Sequence, residues 1–143
     1  MGATVEMQAV AGYHALKQNS LMQKTFADMA ELVLGRNSVT VIDDSKSQGG
    51  STDMGDLSTI IPVIHPYTNA AAGTGHGDDY LIEDYDRAVV APAKVMSATV
   101  LALLSDGAKM AREVVEKHEP SMTTEQYVAT QRERFKTETY EPS

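Results

Sequence analysis

Residues 49–80, GGSTDMGDLSTIIPVIHPYTNAAAGTGHGDDY, constrain this chain more than any other stretch. Two glycine-punctuated polar loops flank one short apolar run, residues 60–64, whose length fits a buried strand. The first loop carries Ser51, Thr52, Asp53 and Asp56; the second carries His76, Asp78 and Asp79. Loops held at the ends of buried strands are where α/β folds place their chemistry. The functional site is therefore expected here.

The rest of the chain supplies the frame. Residues 3–13 alternate, with Val5, Met7, Ala9, Ala11 and Tyr13 on one side, and the spacing predicts a half-buried strand. Ser20 followed by Gln23 matches a capping box, and Met22, Phe26, Met29 and Val33 then recur at helical spacing up to Gly35. That stripe reads as core packing. Residues 39–42 form a β-branched run and predict a short strand. Residues 60–64 predict a buried strand, with Pro62 favouring an edge or irregular position. Residues 66–80 form a long loop rich in Gly, Ala and Asn, a length more often functional than idle.

A strong helix is expected from about Asp84, with Val89, Ala93, Met96, Val100 and Leu103 on its buried face and Pro92 confined to its first turns. Asp106 can cap a further helix to about His118. Thr123 and Gln126 form a second capping box for a polar helix ending near Phe135.

The 143 residues suffice for one modest domain with a real core. A net charge of −8 argues against a sequence-independent grip on nucleic acid. The absence of cysteine excludes disulfides, thiolate zinc sites and cysteine nucleophiles, and suits a cytoplasmic protein. No signal peptide is visible, and no stretch is expected to approach the length needed to span a bilayer. Between Asp43 and Asp86 stand nine acidic residues and one basic residue, Lys46, which read mainly as solvated loops and helix caps, or more sharply as a cation-attracting cleft.

His76 is the leading chemical candidate. Its glycine neighbours let the backbone bring an imidazole close to a ligand, and Asp78 or Asp79 can orient the ring. One histidine does not make a zinc site, which takes three or four protein ligands. An ordinary loop histidine is the plainer alternative. His65, between the apolar run and Pro66, either faces a cleft or caps the strand end. His14 and His118 read as structural or exposed. Residues 49–53 resemble an anion-binding turn suited to a carboxylate or phosphate, and Ser51, Thr52 or Asp53 can equally cap a helix. No P-loop lysine and no G-x-S-x-G elbow is present.

In combination, GSTDMGDLS (50–58), IPVIHPY (61–67) and GTGHGDDY (73–80) resemble the C-terminal part of the zinc-dependent amidohydrolase and peptidase family, which includes aminoacylases, glutamate carboxypeptidase and aminobenzoyl-glutamate hydrolase. The resemblance spans residues 2–104. GSTDMGD with IHPY is most similar to the aminobenzoyl-glutamate utilisation branch. The fold it implies is α/β: the C-terminal half of a zinc-peptidase-like catalytic domain, a mixed sheet flanked by helices, preceded by the last strand of a lid or dimerisation domain. The implied organisation is 1–18 for that strand and its return, 19–106 for the half domain, and 107–143 for a helical extension.

The resemblance implies that His76 is the family's last metal ligand at a two-metal centre, expected to hold zinc, and that Ser51, Thr52 and Asp53 line the substrate pocket; His65, from its place at the strand end, is a further substrate-binding candidate. The implied activity is metal-dependent hydrolysis of an amide next to a carboxylate, on an acyl-amino acid or dipeptide-like substrate. The family's other ligands, a His-x-Asp pair, a Glu-Glu pair and a further acidic residue, stand earlier in its sequence, and nothing earlier in this chain fits them. The general-base glutamate is missing with them, so no catalytic residue is expected here. The chain is accordingly expected to be metal-free and inactive alone, to pair with a missing N-terminal half, to form a homo-oligomer, and to bind neither nucleic acid nor membrane. The alternative is a non-catalytic binding or assembly module, or an inactive fragment. Half a sheet would leave apolar surface open, so dimerisation or aggregation is expected.

Overall fold

The computed structural model describes residues 2–42 and 52–141. They fold as a mixture of helices and two small antiparallel sheets. The order is β1 (Val5–Ala9), α1 (Ser20–Leu34), α2 (Met54–Ser58), β2 (Ala71–Ala72), β3 (Leu81–Ile82), α3 (Ala91–Glu116), α4 (Thr124–Arg134) and β4 (Lys136–Tyr140). A π-helical turn, Asp86–Val90, leads into α3. Two compact units emerge. One takes the described parts of Met1–Lys17, Gly50–Ile61 and Glu119–Ser143; the other takes those of Gln18–Gly49 and Pro62–His118.

In the second unit, α1 packs against α3. Asn19, not Ser20, caps α1: its Oδ1 accepts the Met22 N–H at 3.0 Å. Asparagine and serine are equivalent N-caps, so sequence alone does not choose between adjacent ones. Gly35 closes the helix at φ 101° and donates its N–H to the Glu31 carbonyl. Met22, Phe26 and Met29 are half-buried, while the buried positions are Thr25 and Ala30. The Thr25 and Thr99 hydroxyls bond back to the Leu21 and Val95 carbonyls, both at 2.8 Å, so these polar groups enter the interior already satisfied.

Asp84 opens the long helix as expected, accepting the Arg87 N–H at 2.9 Å and pairing with its guanidinium at 3.2 Å. Pro92 follows the π turn at the start of α3, where a missing N–H is tolerated. The buried face differs from the expected one. Val95, Thr99 and Val114 are buried, whereas Val89, Ala93, Met96 and Val100 are exposed and Leu103 is half-buried. This helix is apolar on several sides, so its periodicity does not fix which side packs. The side with Val95 and Thr99 is inside, leaving Met96 59% and Leu101 69% exposed.

Ser105, Asp106, Gly107 and Ala108 interrupt α3, the last three with φ of 55°, 64° and 62°. The second helix expected near Asp106 is thus realised as the resumed segment after this left-handed turn. Asp86–Glu116 as a whole is long and apolar enough to cross a membrane, by length and composition, with a mean hydropathy of 1.7 in its apolar window. That corrects the expectation that no stretch approaches this length.

Residues 39–42 and 60–64 are not strands. Val63 is buried and its carbonyl accepts the Asn19 N–H at 2.8 Å, while the His65 N–H donates to Gln18 Oε1 at 2.8 Å. Pro62 and Pro66 have no N–H to give, so these contacts do not extend into a ladder. The mixed sheet that the resemblance implies is therefore absent among the described residues, where the sheets are two-stranded and antiparallel.

In the first unit, β1 pairs with β4 in the register Val5↔Tyr140 to Ala9↔Lys136. All five β1 residues are exposed, correcting the half-buried strand expected there. The Thr123–Gln126 capping box forms in full: Gln126 Oε1 accepts the Thr123 N–H at 2.9 Å and Thr123 Oγ1 accepts the Gln126 N–H at 3.2 Å. The buried residues here are small or polar, Gly55, Ser58 and Thr59.

Candidate functional site

The loop bearing His76 is the end of a hairpin. β2 and β3 pair Ala71 with Ile82 and Ala72 with Leu81, and residues 73–80 close the connection. Gly73 has φ 95°, and a Cβ there would meet the Asp79 carbonyl oxygen at 2.2 Å, so only glycine fits. The Gly77 N–H donates to the Thr74 carbonyl at 2.7 Å, and the Thr74 N–H donates to Asp79 Oδ1 at 3.0 Å. His76 lies inside this turn, exposed, with φ 64°. A left-handed conformation costs a non-glycine residue roughly 1–2 kcal/mol. The turn imposes that cost and presents the imidazole to solvent.

Asp79 spends one oxygen on the backbone of the loop, so its observed role is to shape the turn. Asp78 is exposed. His65, in the same unit, is half-buried, with its ring 4.9 Å from that of Tyr67 and its Nδ1 buried without a hydrogen-bond partner among the described residues.

Thr52 and Asp53 lie in the other unit, at the start of α2. Asp53 occupies the N-cap position, but in helical conformation and without a side-chain cap. Its Oδ1 accepts the Thr52 hydroxyl at 3.1 Å, and its carbonyl accepts the Asp56 and Leu57 N–H groups at 3.0 and 3.3 Å. Asp53 is exposed and Thr52 half-buried. Ser51, the third pocket residue expected from the sequence, lies outside the described residues.

Asp56 was left without a role by sequence reasoning, and its carboxylate is the best-connected in this unit. Oδ1 accepts the His14 N–H at 2.8 Å and Oδ2 accepts the Tyr127 hydroxyl at 3.1 Å. The His14 and Tyr127 rings lie 6.0 Å apart, and Arg134 reaches within 3.5 Å of His14 Nε2. The only sequence signal for Asp56 was its place in the GSTDMGD loop; Tyr127 is 71 positions away and no local pattern links them.

Among the described residues, no group of three or more His, Asp and Glu side chains is placed to hold a metal ion. Zinc takes three or four protein ligands, and the described residues do not bring that many together. Neither a known protein family, nor a curated protein, nor a solved structure matches the chain.

Proposed function

We propose that the chain is the C-terminal portion of a metal-dependent amidohydrolase or peptidase, acting on an amide next to a carboxylate. The observation that supports it best is the exposed, left-handed His76 on a glycine-bounded hairpin turn. Strained backbone at an exposed metal-capable side chain is the pattern of a site held ready for a ligand. The motif order Gly-Ser-Thr-Asp, His-Pro-Tyr, Gly-His-Gly-Asp adds to it. On this reading Ser51, Thr52 and Asp53 face the substrate, His76 gives one ligand to a zinc centre, and the remaining ligands and the general base come from a separate N-terminal portion. No catalytic step is assigned to this chain's own residues.

A non-catalytic assembly module is the second reading. The outward Met96, Val100, Leu101 and Leu104 of α3 favour it, because an apolar helix face of this kind calls for a covering surface.

One experiment separates them. The isolated chain is equilibrated with zinc, dialysed, analysed for metal and assayed on N-acyl amino acids and aminobenzoyl-glutamate. Little retained zinc and no turnover are expected. Co-expression with a polypeptide bearing His-x-Asp and Glu-Glu should then give metal-dependent hydrolysis that His76→Ala removes. Hydrolysis indifferent to His76, or none from any such pairing, sinks the hydrolase reading. Tight stoichiometric zinc in the isolated chain would overturn the single-ligand assignment.

A further inference from the structure

We propose that Asp56 is the positioning residue of the Thr52–Asp53 loop, and that it couples this loop to the C-terminal helix α4 through Tyr127. That the loop faces substrate rests on the reading above; the coupling itself does not. Helix α2 has five residues, too few to hold its own shape. Its first turn is closed by carbonyls of the loop: Thr52 accepts from the Gly55 N–H at 2.9 Å, and Asp53 accepts from Asp56 and Leu57. Fixing Asp56 therefore holds the Asp53 carbonyl through its own N–H and the Thr52 carbonyl through the adjoining Gly55 N–H.

The carboxylate is fixed from two sides. One oxygen takes the His14 N–H, the other the Tyr127 hydroxyl. Tyr127 has a single proton. Its oxygen accepts from Gln131 Nε2 at 3.2 Å, which leaves that proton for Asp56. A carboxylate engages both donors more strongly than a neutral acceptor would. Close packing reinforces the placement: a Cβ on Gly55 would lie 1.9 Å from the His14 carbonyl oxygen, and the Lys17 N–H donates to Ser58 Oγ at 3.1 Å. The loop thus takes its position from residues 14–17 and from α4: Asp56 ties α4 to the first turn of α2, while the Met122 N–H and the Ser121 hydroxyl hold the Thr59 carbonyl at its other end.

The test is site-resolved amide exchange on the full chain, comparing wild type with Tyr127→Phe, Asp56→Asn and Asp56→Ala. Tyr127→Phe keeps the ring contact with His14 and removes only the hydroxyl. Losing a hydrogen bond to a charged group should speed exchange at Gly55, Asp56 and Leu57 about tenfold, with the amides of α4 unchanged. Asp56→Ala should speed it further, and Asp56→Asn, which keeps an acceptor for the His14 backbone N–H but turns an NH2 toward Tyr127, should fall between Asp56→Ala and wild type. Unchanged exchange at the three amides overturns the proposal, as does a uniform rise throughout the unit or an Asn variant no better than Ala. Lack of hydrolysis by the wild-type assembly would sink the hydrolase reading and leave this coupling standing.

Discussion

Asp79 Oδ1 accepts the Thr74 N–H at 3.0 Å, so the carboxylate three residues beyond His76 is committed to the turn that carries it. Asp79→Ala should release that turn. Loss of one hydrogen bond predicts about 0.5–1.5 kcal/mol of local stabilisation removed. Backbone relaxation at residues 74–80 should show new mobility while α1 stays rigid. An unchanged turn would show that Gly73 and the Gly77–Thr74 bond suffice.

His76 sits at φ 64°, a conformation glycine adopts freely. His76→Gly should leave the fold intact and raise its unfolding free energy by up to about 1 kcal/mol, read as a higher urea midpoint. The same substitution should remove metal-dependent hydrolysis from a reconstituted assembly. Stability gained with activity lost would mark the histidine as held against its own preference. A clear loss of stability would count against strain at this position.

Gly55 and Gly12 make a matched pair. A Cβ at Gly55 meets the His14 carbonyl at 1.9 Å, whereas one at Gly12 meets nothing within 4 Å. Gly55→Ala should cost about 1–3 kcal/mol through forced displacement, and Gly12→Ala should be close to neutral. Equal effects in chemical denaturation would contradict the close seating of α2.

Ala108 lies in the left-handed turn within α3, at φ 62°. Ala→Gly inside a helix ordinarily destabilises by about 1 kcal/mol. Here the sign should reverse, since glycine relieves the left-handed cost. Destabilisation by Ala108→Gly would mean that the helix runs through this point without a break.

The exposed Glu113–Lys117 pair, 2.6 Å apart, gives a pH signature. The hydrogen bond from Lys117, reinforced by its charge, holds the Glu113 carboxyl below its ordinary range, and Glu113 raises the Lys117 ammonium in the same way. The Glu113 contribution is present above its unfolded pKa and is lost as pH falls through the depressed folded value. The Lys117 contribution is complete below its unfolded pKa and is lost as pH rises through the raised folded value. Support for the last turn of α3 is therefore greatest between these limits, and it is small and salt-sensitive. A Glu113 carboxyl that titrates identically in low and high salt would exclude the pairing.

Helix ends were the most legible features. Gly35, Asp84 and the Thr123–Gln126 box act locally, and local chemistry is what a sequence displays. The failures concern partners. The apolar run around Val63 reads as a strand but lies between two prolines with no ladder to join. The stripe from Val89 to Val100 reads as core, yet the Val95–Thr99 side is the buried one. β4 was not foreseen, although Thr137 and Thr139 alternate, because a polar strand shows itself only once β1 lies beside it. At the candidate site, the glycine-bounded turn was legible around His76. The Asp56 node was not, since its donors come from residues 14 and 127.

The register of β1 against β4 sets Val5 opposite Tyr140, about 5 Å away across the sheet. Peptides joined ahead of Val5 and behind Tyr140 leave this ribbon as neighbours. A tag, a dye or a second polypeptide tethered on either side arrives at the same place. A short turn sealing the two, with a new opening cut elsewhere, would give a permuted chain that keeps this ribbon.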